Sequence, residues 1–508
     1  MDTPPSDRIM LELASLPVAL ARWSEVTPDA PALLAPGGES FRYGDLHAGI
    51  VDVRARLRAL GIGHADRIAF TPGTDARSAF LLVAVMCSAV AAPLSPGASG
   101  EELRGALVRL RPAAVLAARR DRVGSIAASL GIPVLHLAPT GDPFRFTLEG
   151  EAAAPPADAI VPHLDDVAVI LTTSGTTGRP RFVPRRHRML AIIFADIRRQ
   201  LGLGPADLTL QTAPTEHAFG QVHLTSLLHA GGAIVCPGEV SATVLRSLLD
   251  AWPVTYLHIL PALLARLVET GCAEAGTLPA GFRAFKVGAA PLDSRVREHA
   301  ESVLGIPVLD GYGLSEAPNL AAAFLDRPRR PGMVGQVLNP MRVMNGTVPA
   351  APGETGELQV RGDRVFDGYF DDPVATAAAF TPDGWFRTGD RGRIEDGCLA
   401  LAGREAETIN ASGRKVDPGE VEAALGGYPG IREAAAFALP DPIAGQQVAL
   451  AVVREPGAAL NRRALRRHLL DRLSPWKMPK TIVAVDALPR TSNGKIRRSA
   501  LAERFADG

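Results

Sequence analysis

The chain has four cysteines in 508 residues, Cys87, Cys236, Cys272 and Cys398, and they are far apart. No CxxC pair exists, and a chain of this length needs no disulfide staples; buried thiols of a reducing cytosol are expected. Net charge is absent too, because 54 Lys and Arg balance 54 Asp and Glu. That balance gives no overall pull towards nucleic acid or acidic membrane. Long apolar runs are missing. The most apolar stretch, 79–94, is shorter than the roughly 20 residues that a bilayer span needs. Pro93 closes it, so a buried helix is expected there. The opening "MDTPPSDRIM" is acidic and proline-bearing and lacks the basic-then-apolar pattern of a secretory signal. A cytoplasmic chain with no membrane span is therefore expected. Neither a fixed-period repeat nor an HExxH metal pattern is found.

What is present is length, enough for two or more domains, and a steady alternation of helical and strand patterns. Residues 43–60 read as a helix, with Ala48, Val51, Ala55 and the leucine-bearing end near one face. The segments "DRIAF", "PAAVLAA", "IPVLHLA" and "VAVILTT" read as strands with helices between them. This predicts an α/β fold of layered, mostly parallel sheets. Residues 138–165 are rich in Pro, Ala and Gly and read as a surface loop. Past about residue 404 the style changes. Short strand candidates "EAAAFALPD", "QVALAVVRE" and "KTIVAVDAL" lie around amphipathic helices, predicting a small α+β domain at 405–508 after a large one at 1–404. Basic residues dominate 461–498, where the only acids are Asp471 and Asp486. Apart from Trp476 the stretch lacks the interleaved aromatics of a single-strand binder, so no nucleic-acid partner is expected.

One stretch asks for a ligand. In "ILTTSGTTGRPRFVPRR" an apolar strand opens into hydroxyls and glycines and then arginines. Thr173, Ser174, Thr176 and Thr177 offer hydroxyls and N–H groups. Gly175 and Gly178 let the backbone approach closely, and Arg179 and Arg181 add charge. The loop suits an anion, although a polar surface turn is the plainer alternative. It is not a Walker loop, because no Lys-Ser/Thr follows the glycines.

"TTSGTTGRPR" resembles the phosphate loop of the adenylate-forming superfamily, which includes acyl-CoA synthetases, adenylation domains and luciferases. Further motifs follow in that superfamily's order: "VGAAPL" at 287–292, "DGYGLSE" at 310–316, "GELQVRG" at 356–362, "GWFRTGD" at 384–390, "LAGREAETINASGRKVDPGEVE" at 401–422 and "LPRTSNGKIRR" at 488–498. The resemblance spans almost the whole chain. It implies an ATP-dependent ligase that joins a carboxylic acid to AMP and then passes it to a thiol. Thr173, Ser174, Gly175, Thr176, Thr177, Gly178 and Arg181 would hold the phosphates. Gly288, Ala289, Ala290, Asp310, Gly311, Tyr312 and Gly313 would border the adenine. Ser315 would touch phosphate, Glu316 would bind Mg²⁺, and Asp390 with Arg404 would hold the ribose. Lys495 would be the catalytic lysine of the first half-reaction. Ser412, Gly413 and Arg414 would line the thiol tunnel, Ala406 would mark the hinge, and His217 would gate the thiol route. Ala218, Phe219, Gly220, Gly288 and Gly313 would lie near the acid.

Four departures qualify the resemblance. Arg181 stands where lysine is usual, and Phe182 replaces a glycine, putting a bulky ring beside the loop. Ser315 replaces threonine, and Ala406 replaces the charged hinge residue, with Glu405 and Glu407 flanking it. Ala218 stands where amino-acid-activating members carry an aspartate, so a buried substrate ammonium would be unpaired and costly. A fatty or aryl acid is expected instead, with coenzyme A as acceptor. The alternative acceptor is the phosphopantetheine arm of an acyl carrier protein supplied in trans, steered by Arg462, Arg463, Arg466 and Arg467. A luciferase-like oxygenase or a non-catalytic relative is the remote alternative. The sequence does not indicate the oligomeric state.

Overall fold

The computed structural model describes residues 14–506 except 38–39, 119–120, 140–145, 149–160, 174–180, 275, 291, 293, 405–406, 408, 412–413, 427, 442–444, 474 and 492–493. At 137–139, 146–148, 295, 404, 410–411, 414–415, 445 and 476 it describes the backbone. The chain falls into two compact units. Unit 1 is Met1–Pro331 with Arg361–Asp383; unit 2 is Gly332–Val360 with Gly384–Gly508.

Unit 1 is built on three sheets. The largest has the order Phe146–Leu148, Val134–Pro139, Ala114–Ala117, Arg67–Phe70, Val90–Pro93, Val167–Thr173 and Arg181–Arg186. Its inner neighbours are parallel, and each end is closed by an antiparallel pair. A second sheet runs Leu208–Leu210, Ala233–Val235, Pro31–Leu34 and Ser40–Arg42. A third, all parallel, runs Tyr256–Ile259, Ala284–Val287 and Val308–Leu309. The expected α/β class is thus present. Strands such as Ala114–Ala117 are buried along their whole length, as strands covered on both faces must be. The helix Gly100–Leu110 shows the local logic. Ser99 and Glu102 form a capping box, and Leu103, Ala106, Leu107 and Leu110 face the core at helical spacing.

Three expectations need correction. Residues 79–94 are not one helix. The helix Ala76–Met86 turns at Cys87–Ala89 into the strand Val90–Pro93, which pairs with Arg67–Phe70. A short apolar run has no period to tell strand from helix, and Pro93 is tolerated at a strand's end. Within 138–165, strands Val134–Pro139 and Phe146–Leu148 pair, so part of the expected loop is a hairpin. The helix Tyr43–Ala59 forms as expected and buries Ala55 and Leu57 of the expected face, but the rest of that face is turned out. Leu46, Ile50, Arg54 and Leu57 point inward, while Ala48, Val51 and Leu60 are exposed. Arg54 can face the core because its guanidinium donates to the Cys87 carbonyl, from Nε at 3.2 Å and Nη2 at 2.9 Å. Of the cysteines, Cys87 and Cys236 are buried and Cys272 and Cys398 partly so. Burial pushes the Cys87 thiol up to about 12, which leaves it unreactive near neutrality.

Unit 2 holds two antiparallel systems. One runs Gly335–Val337, Cys398–Arg404, Phe386–Glu395, Gly356–Val360, Met341–Asn345 and Val348–Pro349. The other runs Arg414–Val416, Ile409–Ala411, Gly445–Arg454 and Ile431–Asp441, with Thr481–Val485 added parallel to Gly445–Arg454. The helices Pro418–Ala423, Arg462–Leu470 and Arg498–Phe505 accompany this second sheet, so the three tail strands read from sequence are all present.

Candidate active site

In an open parallel sheet, ligand-binding groups gather where strands end. Unit 1 follows that rule. The strand Val167–Thr173 delivers Thr173 to the loop, and Arg181 begins the return strand. Thr173 and Arg181 are ladder partners, so the loop is tied at both feet. Ser174, Gly175, Thr176, Thr177 and Gly178 lie outside the described residues. Phe182 points into the core. Side chains alternate along a strand, so Arg181 faces the site side and Phe182 the opposite one. The ring is fully buried in the core, with the Arg109 guanidinium 4.7 Å from its centroid.

A residue outside the sequence reading joins the charged groups. The Arg181 guanidinium lies over the Tyr369 ring, 5.0 Å from its centroid, and Nη1 is 3.5 Å from the hydroxyl. That hydroxyl donates to Oε1 of Glu316 at 2.9 Å. Burial, then the Glu316 charge, hold the phenol well above its usual range, so it stays a donor. Arg185 is a second such residue. It is fully buried, donating from Nε to the Ser315 carbonyl at 2.9 Å and from Nη1 to Gln221 Oε1 at 3.2 Å. Burial lowers it to about 10, against the opposing charge of Glu316, so it remains a cation at neutral pH. Arg185 therefore fixes the loop that carries Ser315 and Glu316.

The "DGYGLSE" segment is a tight hairpin. Gly311–Tyr312 pairs with Ala321–Ala322, and Tyr312 is buried. A Cβ on Gly313 would stand 2.4 Å from the Asn319 nitrogen, so only glycine fits. Asp310 follows the strand Val308–Leu309, and its carbonyl accepts from Lys286 Nζ at 2.9 Å. Burial raises the Asp310 carboxyl and lowers the Lys286 ammonium. Gly288 and Ala289 follow the strand Ala284–Val287. Ala289 has φ 67°, a left-handed conformation that costs an L-residue about 1 kcal/mol or more. Such strain marks Ala289 and Ala290 as a shaped backbone edge.

After the strand Leu208–Leu210 the chain crosses to His217, the N-cap of helix Ala218–Ala230. His217, Ala218 and Phe219 are half-buried. Gly220 lets this loop fold on itself, since a Cβ there would meet the Pro214 carbonyl at 2.1 Å. The Phe219 ring packs on Gly288, where a Cβ would be 2.9 Å from Cε2. The fold therefore brings Phe219 and Gly288 together, as a common acid pocket requires. Glu216, also outside the sequence reading, is buried, and burial raises its carboxyl to about 7.

Unit 2 carries the other predicted groups. Asp390 is buried, its N–H donates to Thr388 Oγ1 at 3.1 Å, and it is the cross-strand partner of Arg404. Two residues expected to share the ribose thus stand opposite each other. Lys495 is exposed in a turn closed by Thr491, whose N–H donates to the Lys495 carbonyl at 2.8 Å. Nearby, Arg498 donates to Glu407 and Glu422, each at 2.7 Å, and to the Ala436 carbonyl at 2.9 Å. Ala406, Ser412 and Gly413 lie outside the described residues, as does the side chain of Arg414.

Among the described residues no group of three or more His, Cys, Asp or Glu is placed to hold a metal. Glu316 offers one carboxylate already oriented by Tyr369. A single oriented carboxylate suits Mg²⁺, which keeps water ligands and takes further oxygens from phosphates. No helix among the described residues is long and apolar enough to cross a membrane.

The chain is an ATP-dependent acid–thiol ligase. The chain belongs to the AMP-binding enzyme family, whose model matches residues 20–370; the model of its C-terminal domain matches 420–495. It activates a carboxylate with ATP and transfers the acyl group to coenzyme A. Among similar proteins are a sulfoacetate–CoA ligase of Cupriavidus necator, 32% identical over 96% of both chains, and an oxalate–CoA ligase of Arabidopsis thaliana. The latter is 30% identical, over 94% of this chain and 96% of its own. Crystalline ATP-bound MatB from Rhodopseudomonas palustris superposes with a TM-score of 0.89 at 29% identity, covering 97% of this chain and 99% of that one.

Proposed function

We propose that residues 1–404 hold ATP and the acid, and that residues 405–508 act as a mobile lid that brings Lys495 to the first half-reaction alone. The acid's carboxylate oxygen attacks the α-phosphorus of ATP; the bond to the bridging oxygen breaks and pyrophosphate leaves. The thiol of coenzyme A then attacks the acyl carbon, and AMP leaves. Such steps are driven by positioning and charge.

The observation that carries this reading is the chain Arg181–Tyr369–Glu316, set at the foot of the loop. It orients one cation and one carboxylate together, as a triphosphate with its metal would require. Thr173, Ser174, Gly175, Thr176, Thr177 and Gly178 would wrap the β- and γ-phosphates, and Ser315 would touch phosphate. Glu316 would hold Mg²⁺, which supplies charge neutralisation on the phosphates. Gly288, Ala289, Ala290, Asp310, Gly311, Tyr312 and Gly313 would border the adenine, and Asp390 with Arg404 would bind the ribose. Lys495 would draw carboxylate and α-phosphate together, the chain would pivot at Ala406, and the Ser412–Gly413–Arg414 turn would line the thiol route gated by His217. Ala218, Phe219, Gly220 and Gly288 would surround the acid, which is not an α-amino acid because Ala218 offers no counter-charge. A cytoplasmic location fits the thiols. The relatives are named for two-anion acids and, in a feruloyl-CoA synthase of Amycolatopsis, for an aromatic acid, so names alone do not choose between them.

The test is Lys495→Ala with the half-reactions measured apart. Acyl-adenylate formation should fall about a thousandfold or more, while thioester formation from supplied acyl-adenylate stays within about threefold. Equal loss of both would contradict the alternating lid.

A further inference from the structure

Behind Phe219 lies a cluster that the roles above leave unused. His223, on helix Ala218–Ala230, and His258, on strand Tyr256–Ile259, have ring centroids 4.3 Å apart. Tyr256 is 5.9 Å from His223 and 6.0 Å from His258. Phe219 stands edge-on to His258 at 5.2 Å. His258 and Lys286 are ladder partners in a parallel pair, so their side chains share one face of the sheet.

All four polar residues are buried. Both ring nitrogens of His223, Nδ1 of His258 and the Tyr256 hydroxyl meet no hydrogen-bond partner among the described residues. Each such atom costs about 1–3 kcal/mol unless water or a ligand satisfies it, and here four stand together. A hydrocarbon tail lying against them would leave that cost in place. An anionic head would remove it, because imidazoles and a phenol can all donate and Lys286 supplies a positive field. Burial depresses both imidazoles, His223 to about 3, so they are neutral until an anion arrives. A carboxylate would then hold a proton on one ring as a charge-assisted donor.

We propose that the acid carries a second anionic oxygen group, a carboxylate or a sulfonate, held by His223, His258 and Tyr256 beyond Phe219. This rests on the assignment of Ala218, Phe219, Gly220 and Gly288 to the acid pocket. The acids of choice are short, with the reacting carboxylate at one end and the second anion at the other.

The experiment measures ATP–pyrophosphate exchange by the full chain with matched acids. Oxalate, malonate, succinate and sulfoacetate are set against acetate, propionate, butyrate and ferulate. The two-anion set should win by about a hundredfold in kcat/KM, as expected where buried donors lose their partner; the dicarboxylates and the sulfonate decide between the two heads. In His223→Leu and His258→Leu the two-anion acids should lose about tenfold or more while propionate changes less than threefold. His223→Gln should recover part of the loss. Should the leucine variants fail to fold, the wild-type ranking decides. Equal or better exchange with the one-anion acids overturns the inference and leaves the ligase reading intact. So does an equal loss for both acid classes in folded variants. Exchange with no acid of either set overturns both.

Discussion

The two units bury polarity in opposite ways. Unit 1 buries neutral or backbone-held groups: His187, His223, His229 and His258, with Arg185 and Lys286 donating to main-chain carbonyls. Its buried charge pairs, Asp196 with Arg364 at 2.6 Å and Asp207 with Arg283, are the exceptions. Unit 2 pairs the charges it covers: Arg498 with Glu407 and Glu422, and Glu357 with Arg387. The contrast teaches a division of labour. A receptor for anions needs dry, oriented donors whose cost is met by the substrate. A lid that carries one lysine between tasks, as proposed above, would need its own frame held by local charge.

Acid should break the comparison most. The folded-state pKa values of His187 and His229 are depressed by burial to about 4. Unfolded chains take up these protons near pH 6.5, so stability is present above 6.5 and lost as pH falls towards 4. The loss approaches roughly 3 kcal/mol per histidine. Burial raises carboxyls in both units, Glu216 and Asp310 in unit 1 and Asp417 and Glu422 in unit 2, and their contribution improves as pH falls; the depressed histidines lie in unit 1 and set the difference. Hydrogen exchange resolved by peptide, run from pH 7 to 4.5, should show unit 1 loosening first. Unit 2 loosening first would contradict the contrast.

Arg498→Met sharpens the other side. It strands Glu422 in the interior and should cost about 3 kcal/mol, read as earlier unfolding of unit 2 in urea. A shift confined to unit 1 would place the clamp elsewhere. Smaller still, Asp390→Ala should weaken ATP binding by about tenfold, roughly the worth of hydrogen bonds to a charged group. Unchanged affinity by calorimetry would remove its ribose role.

Much of this was legible in the chain. The parallel class followed from apolar strands alternating with helices. The candidate loop residues, Glu316 and Asp390 were picked out by ordered motifs, and their roles stand as proposals. What stayed hidden depended on contacts distant in sequence. Tyr369 lies 53 residues beyond the Glu316 it orients, in a stretch with no chemical signature. Arg185 looked like one more cation after a loop, and only burial shows it as an anchor. His223 and His258 sit in an apolar helix and strand, where a lone histidine reads as core; their pairing is visible only in the fold. The run 79–94 failed for a different reason, because its composition suits a helix and a buried strand equally.

The most direct measurement is acid-dependent ATP–pyrophosphate exchange with no thiol present. The account predicts label entering ATP only when ATP, Mg²⁺ and a suitable acid are together, since adenylation by residues 1–404 with Lys495 would be complete before coenzyme A is needed. Thioester formation from acid, ATP and coenzyme A without any such exchange would contradict it, because the acyl group would then reach the thiol without an acyl-adenylate.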